Sequence, residues 1–173
     1  MRKSTGKPIV SVCVVTFNQE KYIGQCIQSI LDQDCEYEFE IIVGDDCSTD
    51  NTLSIVNSFS EKAAGILKIV SRQKNIGGMK NYLGIHKMSS GQFVAHMDGD
   101  DYWHPNKLRK QLELFSDNSN CVAVYTNAEV VDSENKYIGK FNNKIPSVFD
   151  INYLLEKGNF LNHSSFMYRS SIQ

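Results

Sequence analysis

The chain has 173 residues, of which 41% are hydrophobic and 22% are charged, and its formal net charge is −2. This length predicts one domain that can bury a sizeable core, and the composition is that of a soluble globular protein. The small net charge excludes the global basic field that attracts nucleic acid. Apolar runs are too short to span a membrane, and the cysteines form no Cys-x-x-Cys pair that would suggest zinc or redox chemistry.

The five cysteines and the absence of a secretory signal favour a reducing, cytoplasmic location. If the protein works at the inner face of a cell membrane, we expect peripheral association through a partner or a segment outside this sequence. One compact basic cluster, Lys107, Arg109 and Lys110, is interpreted as the solvated face of a helix. The oligomeric state is left open.

Strand and helix patterns alternate from the N-terminus onwards. Continuous apolar runs predict strands buried on both faces, and apolar residues at helical spacing predict amphipathic helices between them. The predicted strands are 9–15, 39–43, 66–70, 93–97 and 121–126, which 128–131 would extend, and the helices are 20–31, 53–59, 82–88 and 108–115. This order predicts an α/β sandwich with a largely parallel sheet. Beyond about residue 135 the pattern weakens to an irregular stretch at 141–146 and a short helix at 151–155.

Polar clusters follow three of the predicted strands. They are 16–18 after the first strand, Asp45 and Asp46 after the second, and 98–101 after the fourth. Ligands of parallel α/β sheets bind beyond the carboxyl ends of the strands. We therefore expect the three clusters to meet at one edge and to form a ligand site there.

The most informative cluster is Asp98-Gly99-Asp100-Asp101. If the chain is still extended there, Asp98 and Asp100 project to the same face, and they repel each other unless a cation lies between them. Mg²⁺ or Mn²⁺ fits such oxygen ligands and accepts phosphate oxygens at its remaining positions. Gly99 removes bulk, so that a diphosphate could approach closely. The alternative is a polar turn before a helix that Pro105 opens, and the motif alone does not decide.

Four segments together resemble the family-2 glycosyltransferases, the large GT-A group that uses nucleotide-diphosphate sugars. Their order and spacing agree with that family over roughly 8–115, and weaker likeness continues through 163–169. The segments are 12–22 (Val-Cys-Val-Val-Thr-Phe-Asn-Gln-Glu-Lys-Tyr), 40–52 (Glu-Ile-Ile-Val-Gly-Asp-Asp-Cys-Ser-Thr-Asp-Asn-Thr), 75–81 (Asn-Ile-Gly-Gly-Met-Lys-Asn) and 97–101 (Met-Asp-Gly-Asp-Asp).

The resemblance implies the GT-A fold, a three-layer α/β/α sandwich around a mostly parallel central sheet. It implies one catalytic domain over 1–173, with a donor half at 8–115 and a partial acceptor half at 116–173. The implied reaction is metal-dependent transfer of a sugar from a nucleotide-diphospho-sugar, with a UDP-sugar favoured, to a saccharide or lipid-linked acceptor with inversion. Mn²⁺ or Mg²⁺ would be the cofactor, and assembly of cell-envelope polysaccharide would be the setting.

The resemblance also implies a nucleotide pocket. Phe17 would stack on a pyrimidine, although in isolation it would be interpreted as a core aromatic. Asp46 would accept a hydrogen bond from the base, and its structural alternative is to cap the following helix. Asp45 would be structural, and Lys80 could equally face solvent. The full implied set is Thr16, Phe17, Asn18, Glu20, Asp46, Lys80, Asn81 and Asp98.

The implied metal and catalytic residues lie in the acidic cluster. Asp100 would bind the metal directly, Asp98 would contact the ribose or the metal and its water, and Asp101 and Trp103 would support the loop. His163 is a further candidate metal ligand or acceptor contact, but the residue type favours a hydrogen-bonded structural histidine.

The base that must take the proton of the acceptor hydroxyl is not identified. In the family it is usually an Asp or Glu beyond the stretch at 163–169, and the sequence ends at Gln173. His163 is the nearest titratable residue, and Glu129 and Asp132 are weaker candidates. We therefore expect a donor-binding half with an acceptor half truncated at the C-terminus. An inactive nucleotide-sugar-binding module remains the alternative function.

Overall fold

The centre of the molecule is a mostly parallel β-sheet. The computed structural model describes residues 6–63, 65–144, 146–158 and 160–172, and within them six strands form this sheet. In spatial order these strands are β3 (Leu67–Ser71), β2 (Phe39–Asp45), β1 (Val10–Thr16), β4 (Phe93–Asp98), β8 (Met167–Arg169) and β5 (Ala123–Val124). The pairs β1–β2, β1–β4 and β2–β3 are parallel, whereas β8 runs antiparallel to both of its neighbours.

Helices cover both faces of the sheet. The described helices are α1 (Ile23–Leu31), α2 (Thr52–Ser58), α3 (Gly78–His86), α4 (Lys107–Asp117) and α5 (Ile151–Lys157), with 3₁₀ turns at His163–Ser165 and Ser170–Ile172. Apolar residues of α1, α2 and α4 pack on one face, and Ile85 of α3 packs on the other with Cys13 and Ile42. The predicted α/β sandwich with a mostly parallel sheet is confirmed, and it has three layers.

The first two thirds of the chain follow the predicted elements closely. Each strand from β1 to β4 and each helix from α1 to α4 lies within a few residues of its predicted position. The reason is that complete burial of β1 and β2 requires the continuous apolar runs that the sequence displays.

The C-terminal third differs from the prediction. Residues 128–131 do not extend the fifth strand, which is only β5, because β6 (Glu129–Val131) pairs with β7 (Tyr137–Lys140) in a separate hairpin. The sequence also missed β8, which enters the sheet between β4 and β5. A three-residue strand carries too little periodic pattern to be predicted, and its position depends on pairing with residues about 70 positions earlier.

Candidate functional site at the carboxyl edge of the sheet

The three predicted polar clusters meet at one edge of the sheet. In the strand register, Thr16 of β1 lies opposite Asp45 of β2, and Val15 lies opposite Asp98 of β4. Since β1 is the middle strand and all three run parallel, their following loops leave the sheet side by side. The convergence expected from the sequence is therefore present.

The loop after β1 is tied to the loop after β2. Asn18 has a left-handed backbone (φ 53°), and its side-chain oxygen accepts a hydrogen bond from the Thr49 amide at 2.8 Å. The Asn18 amide in turn donates to Ser48 Oγ at 2.9 Å. Phe17 is 45% exposed, so it presents its ring to solvent and is not a core aromatic.

Glu20 strengthens the same connection. One of its carboxylate oxygens accepts hydrogen bonds from the backbone and side-chain amides of Asn51, at 2.9 and 2.8 Å. The Glu20 amide donates to Asp50 at 3.1 Å. Nearby, the buried Thr16 hydroxyl donates to Gln19 Oε1 at 2.8 Å. These contacts give the loop a fixed shape before any ligand binds.

Asp46 holds the loop before α3. Its Oδ1 accepts from the Ile76 amide at 2.8 Å, and its Oδ2 accepts from the Gly77 amide at 2.9 Å. The suggestion that Asp46 caps the following helix is wrong, because α2 begins at Thr52 and the Thr52 amide donates to Asp50 instead. Each oxygen of Asp46 still has a lone pair available to a further donor.

Asp45 has a structural contact. Its Oδ2 accepts from the Ser48 amide at 3.1 Å, whereas its Oδ1 is buried and has no hydrogen-bond partner among the described residues. A buried acceptor without a partner is energetically unfavourable, and in proteins such an atom usually accepts a hydrogen bond from a bound water.

Asn81 links α3 to the sheet. Its side-chain amide donates to the Gly44 carbonyl at 2.7 Å, and its oxygen accepts from Arg72 Nε at 3.2 Å. Gly44 allows this approach, because a Cβ there would lie 2.7 Å from the Asn81 oxygen. Asn81 is buried, whereas Lys80 on the same helix is exposed. Of these two predicted ligand contacts, only Lys80 reaches solvent.

The acidic cluster forms a turn. Because β4 ends at Asp98 and the Asp101 amide donates to the Asp98 carbonyl at 3.0 Å, strand alternation does not extend to Asp100. A Cβ on Gly99 would lie 2.5 Å from Gln19 Oε1 and 3.0 Å from Thr16 Cβ. The space that Gly99 provides is thus filled by the β1 loop and not left for a diphosphate, contrary to the expectation.

The carboxylate of Asp98 is held by two partners. Nε2 of His96 lies 3.1 Å from its Oδ1, and the Ser164 hydroxyl lies 3.4 Å from its Oδ2. Burial alone would raise the pKa of Asp98, but the hydrogen bond and charge of His96, with smaller effects of His163 and Ser164, hold it below its ordinary value. Asp98 is therefore an anion at neutral pH.

Asp101 has the opposite electrostatics. Burial raises its pKa, a hydrogen bond with Ser164 opposes the rise, and the charges of Asp100 and Asp98 add to it. Asp100 itself is exposed and makes no hydrogen bond or ion pair with the described residues. Three neighbouring carboxylates thus differ in their surroundings, and Asp100 is the one whose oxygens are unoccupied by protein donors.

A second potential ligand group lies beside the turn. Side-chain atoms of His96, Asp98 and His163 all lie within 4.8 Å of one another. The exposed His163 ring makes no hydrogen bond with the described residues and meets the His96 ring edge-on at 6.0 Å. His163 therefore lies beside the acidic cluster and lacks the hydrogen bond expected of a structural histidine.

A groove of about 1010 Å³ opens next to the acidic turn. Its walls include Asp100 and Trp103 on one side and the β6–β7 hairpin, with Glu129 and Asp132, on the other. Glu129 lies 3.3 Å from Nε2 of His104, and both side chains are exposed. The two weaker candidates for the base therefore line a space large enough for a saccharide.

Lys107 does not lie on a solvated helix face, contrary to the interpretation of the basic cluster. It is buried, with its Nζ 3.8 Å from the centre of the Trp103 ring and 2.8 Å from Gln111 Oε1. Burial lowers the pKa of Lys107 to about 7. This lysine is consequently part of the support beneath Trp103 and not of a solvated helix face.

Sequence reasoning identified none of the residues that hold Asp98, either directly or through His96. His96, His86, Ser164 and Tyr168 come from four separate segments and meet only in the fold. One signal was available, since a histidine inside the apolar run 93–97 is unusual for a strand buried on both faces.

The family model for glycosyl transferase family 2 matches residues 11–173. The chain belongs to glycosyltransferase family 2. The resemblance noted in the sequence is thereby confirmed, and the match extends beyond the predicted donor half at 8–115 to the last residue.

Curated relatives include named glycosyltransferases of bacteria. TuaG of Bacillus subtilis, a putative teichuronic acid biosynthesis glycosyltransferase, is 33% identical over 78% of this chain and 52% of the relative. WfgD of Escherichia coli, a UDP-Glc:alpha-D-GlcNAc-diphosphoundecaprenol beta-1,3-glucosyltransferase, is 34% identical over 77% of this chain and 50% of the relative. The chain spans about half the length of these curated relatives.

Solved structures share the fold. TarS of Staphylococcus aureus in complex with UDP-GlcNAc matches with a TM-score of 0.64 and 27% identity, over 94% of this chain and 46% of that one. The mannosyltransferase PcManGT of Pyrobaculum calidifontis, in complex with GDP-Man and Mn²⁺, matches with a TM-score of 0.62 and 26% identity, over 70% of this chain and 36% of that one. The GT-A fold is therefore shown.

Across the described residues, no helix combines the length and the apolar character that crossing a bilayer requires.

Proposed function

We propose that the chain binds a nucleotide-diphospho-sugar at the carboxyl edge of β1, β2 and β4, as part of a metal-dependent glycosyltransferase. The observation that carries this proposal is the convergence of the Phe17, Asp46 and Asp98 segments at that edge. The family membership and the nucleotide-sugar complexes of TarS and PcManGT support it. We assign donor binding to 8–115 and acceptor binding to 116–173 of one catalytic domain.

The residues of the turn fit a divalent cation. Asp100 offers an exposed carboxylate without a protein donor, and Asp98 is an anion with partial exposure. Oxygen ligands of this kind suit Mn²⁺ or Mg²⁺, and the presence of Mn²⁺ in the PcManGT complex is in keeping with this choice. When bound, the ion would neutralise the charge that develops on the diphosphate leaving group.

The nucleotide would bind between the loops after β1 and β2. Phe17 would stack on the base, and Asp46 would use a remaining lone pair to accept the ring N–H of uracil while it holds the Ile76 and Gly77 amides. Thr16, Asn18, Glu20 and Asn81 would act by fixing the loops that form the pocket, and Lys80 would approach the phosphates. A UDP-sugar is favoured, since WfgD is named for UDP-Glc and TarS binds UDP-GlcNAc.

The acceptor would enter the groove between the acidic turn and the β6–β7 hairpin. We propose a saccharide or lipid-linked acceptor and inversion by direct displacement, with Glu129, Asp132 and His163 as candidates for the base. TuaG is named for teichuronic acid biosynthesis and WfgD for a sugar linked to diphosphoundecaprenol. We therefore propose that the protein works in the cytoplasm at the inner face of the membrane.

Calorimetric titration of UDP, dTDP and GDP, each with Mn²⁺ and then with EDTA, tests donor binding. We expect metal-dependent binding of UDP above the others, and no binding by any of the three would contradict the proposal. Release of UDP from a UDP-sugar, measured with and without saccharide acceptors, then separates a transferase from an inactive binding module.

A further inference from the structure

A row of hydrogen-bonded side chains, most of them buried, ends on Asp98. The Tyr168 hydroxyl lies 2.9 Å from Nδ1 of His86, and Nε2 of His86 lies 3.2 Å from Nδ1 of His96. Nε2 of His96 lies 3.1 Å from Oδ1 of Asp98. These four residues, called here the His96 chain, come from β8, α3 and β4. The His96 chain therefore connects three elements of the fold to the carboxylate of Asp98.

The direction of the hydrogen bond between His96 and Asp98 follows from the chemistry of the carboxylate. An ionised carboxylate only accepts hydrogen bonds, so Nε2 of His96 must carry the hydrogen between them. This is true of a neutral and of a charged His96, since Nε2 is protonated in both. Burial, followed by the charge of His96, lowers the pKa of His86 to about 3, so that His86 is neutral and offers one donor and one acceptor nitrogen.

The rings of the His96 chain have little freedom to turn. His86 and His96 are 4% and 1% exposed. Tyr82 stacks on His86 with ring centres 3.9 Å apart, and its edge contacts His96 at 4.8 Å. The His86 and Tyr168 rings are parallel within 4°. Packing and hydrogen bonds thus specify the same orientation for His96.

Asp98 is held from its other side as well. The Asp98 amide donates to Ser164 Oγ at 2.9 Å, and the Ser164 carbonyl accepts from Trp103 Nε1 at 2.7 Å. The side chain of Asp98 nevertheless remains 37% exposed. The carboxylate is therefore anchored inside the protein while part of it faces the proposed donor site.

We propose that His96, oriented by His86 and Tyr168, is a positioning residue that fixes the carboxylate of Asp98 for the metal-bound donor. This inference rests on the proposed function, because the role of Asp98 toward the donor is itself proposed. Both ring nitrogens of His96 already face partners, so the residue acts through Asp98 and not as a metal ligand. Partners of this kind, one step removed from a metal, typically change metal affinity or activity 10- to 100-fold when mutated.

The experiment compares metal-dependent UDP binding by the full 173-residue chain and four variants. His96→Leu removes the donor to Asp98, His96→Gln supplies a side-chain N–H in its place, and Tyr168→Phe removes only the far hydroxyl. Tyr82→Phe is the control, because it keeps the ring that stacks on His86 and loses a hydroxyl outside the His96 chain. Thermal unfolding confirms that each variant is folded.

We expect His96→Leu to weaken binding of UDP with Mn²⁺ by about 10- to 100-fold, while UDP binding in EDTA is unchanged. His96→Gln should recover most of the loss, Tyr168→Phe should show a smaller loss, and Tyr82→Phe should match the wild type. A folded His96→Leu with wild-type Mn²⁺-dependent affinity would overturn the positioning role.

Nitrogen NMR of the His96 ring gives a readout that does not depend on UDP binding. We expect a protonated Nε2 in the free protein that stays protonated when Mg²⁺ and UDP are added. Loss of that proton on adding metal would instead make His96 a ligand with Asp98 and His163, and would overturn the inference. If the wild type binds no nucleotide, the proposed function fails, and an Nε2 of His96 without a proton in the free protein would separately refute the His96 chain.

Discussion

The proposed donor half at 8–115 and the proposed acceptor half at 116–173 are built differently. In the donor half, β1 and β2 are buried almost throughout, and the loops that follow them are linked by backbone-to-side-chain hydrogen bonds. In the described part of the acceptor half, β7 is mostly exposed and α5 buries no residue. The difference favours a proposed nucleotide site that the sheet positions and a proposed acceptor site that depends on exposed elements around a groove.

Asp100→Ala should produce the largest effect on the donor half. Asp100 is exposed and accepts no hydrogen bond from the described residues, so its loss should leave the fold intact. We expect Mn²⁺-dependent UDP binding to weaken by at least about 100-fold, the upper end of what a supporting residue contributes. Calorimetry with Mn²⁺ and with EDTA measures the effect. Asp117→Ala, which removes an exposed carboxylate at the end of α4, is the control. Unchanged metal dependence in Asp100→Ala would refute the metal assignment.

Phe17→Ala and Phe141→Ala form a matched pair across the two halves. Both rings are about half exposed, at 45% and 49%, so neither substitution should unfold the protein. Stacking of a base on an aromatic ring contributes about 1–3 kcal/mol, so Phe17→Ala should weaken UDP binding roughly 5- to 150-fold. Phe141→Ala should leave UDP affinity unchanged. Equal losses in the two variants would contradict the division into donor and acceptor halves.

Asp46→Asn and Asp132→Asn compare a buried aspartate with an exposed one. Each aspartate accepts two backbone N–H groups, but Asp46 uses both oxygens and is 3% exposed, whereas Asp132 uses one oxygen and is exposed. An asparagine at 46 would point an N–H group at the backbone N–H of Ile76 or Gly77, and loss of that hydrogen bond at the buried side chain should lower the free energy of unfolding by about 1–3 kcal/mol. Urea unfolding should show little change for Asp132→Asn.

Asp46→Asn should also weaken the binding of the uridine part of the ligand more than the binding of its sugar part, because the proposed hydrogen bond is to the base. Titration with UDP and with UDP-GlcNAc measures the difference. An equal loss for UDP, dTDP and GDP, together with the loss of stability, would assign Asp46 a purely structural role.

The last prediction concerns the acid stability of the proposed donor half. Burial opposes ionisation of Glu40, but hydrogen bonds from Lys68, Ser11 and Ser90 outweigh it and lower the pKa of Glu40 to about 2. Since this folded-state pKa lies below the ordinary 4.5, Glu40 contributes stability above pH 4.5 that is lost as the pH falls toward 2.

Urea unfolding between pH 6 and pH 2 tests this contribution. Glu40→Gln should lose less stability over that range than the wild type, and the exposed Glu61→Gln should follow the wild type. Parallel curves for all three proteins would show that another group controls acid unfolding.

The same contrast explains how far the sequence predicts the structure. The strands β1, β2 and β4 were predictable, because burial on both faces requires apolar runs that are visible without a fold. The strand β8 and the hairpin were not, since their pairing is decided by contacts distant in sequence. At the site, Asp46 and Asp98 lie at the expected edge of the sheet. The hydrogen bond from the Gly77 amide to Asp46 and the His96 chain arise only from tertiary contacts.

The central claim is that the acidic turn after β4 binds the diphosphate of the donor through a divalent ion. Anomalous X-ray diffraction from crystals grown with UDP and Mn²⁺ tests it most directly. We predict one manganese peak within coordination distance of the Asp100 carboxylate, with the uracil over Phe17 and beside Asp46. A UDP bound at this edge without manganese, or a manganese peak away from Asp98 and Asp100, would contradict the account.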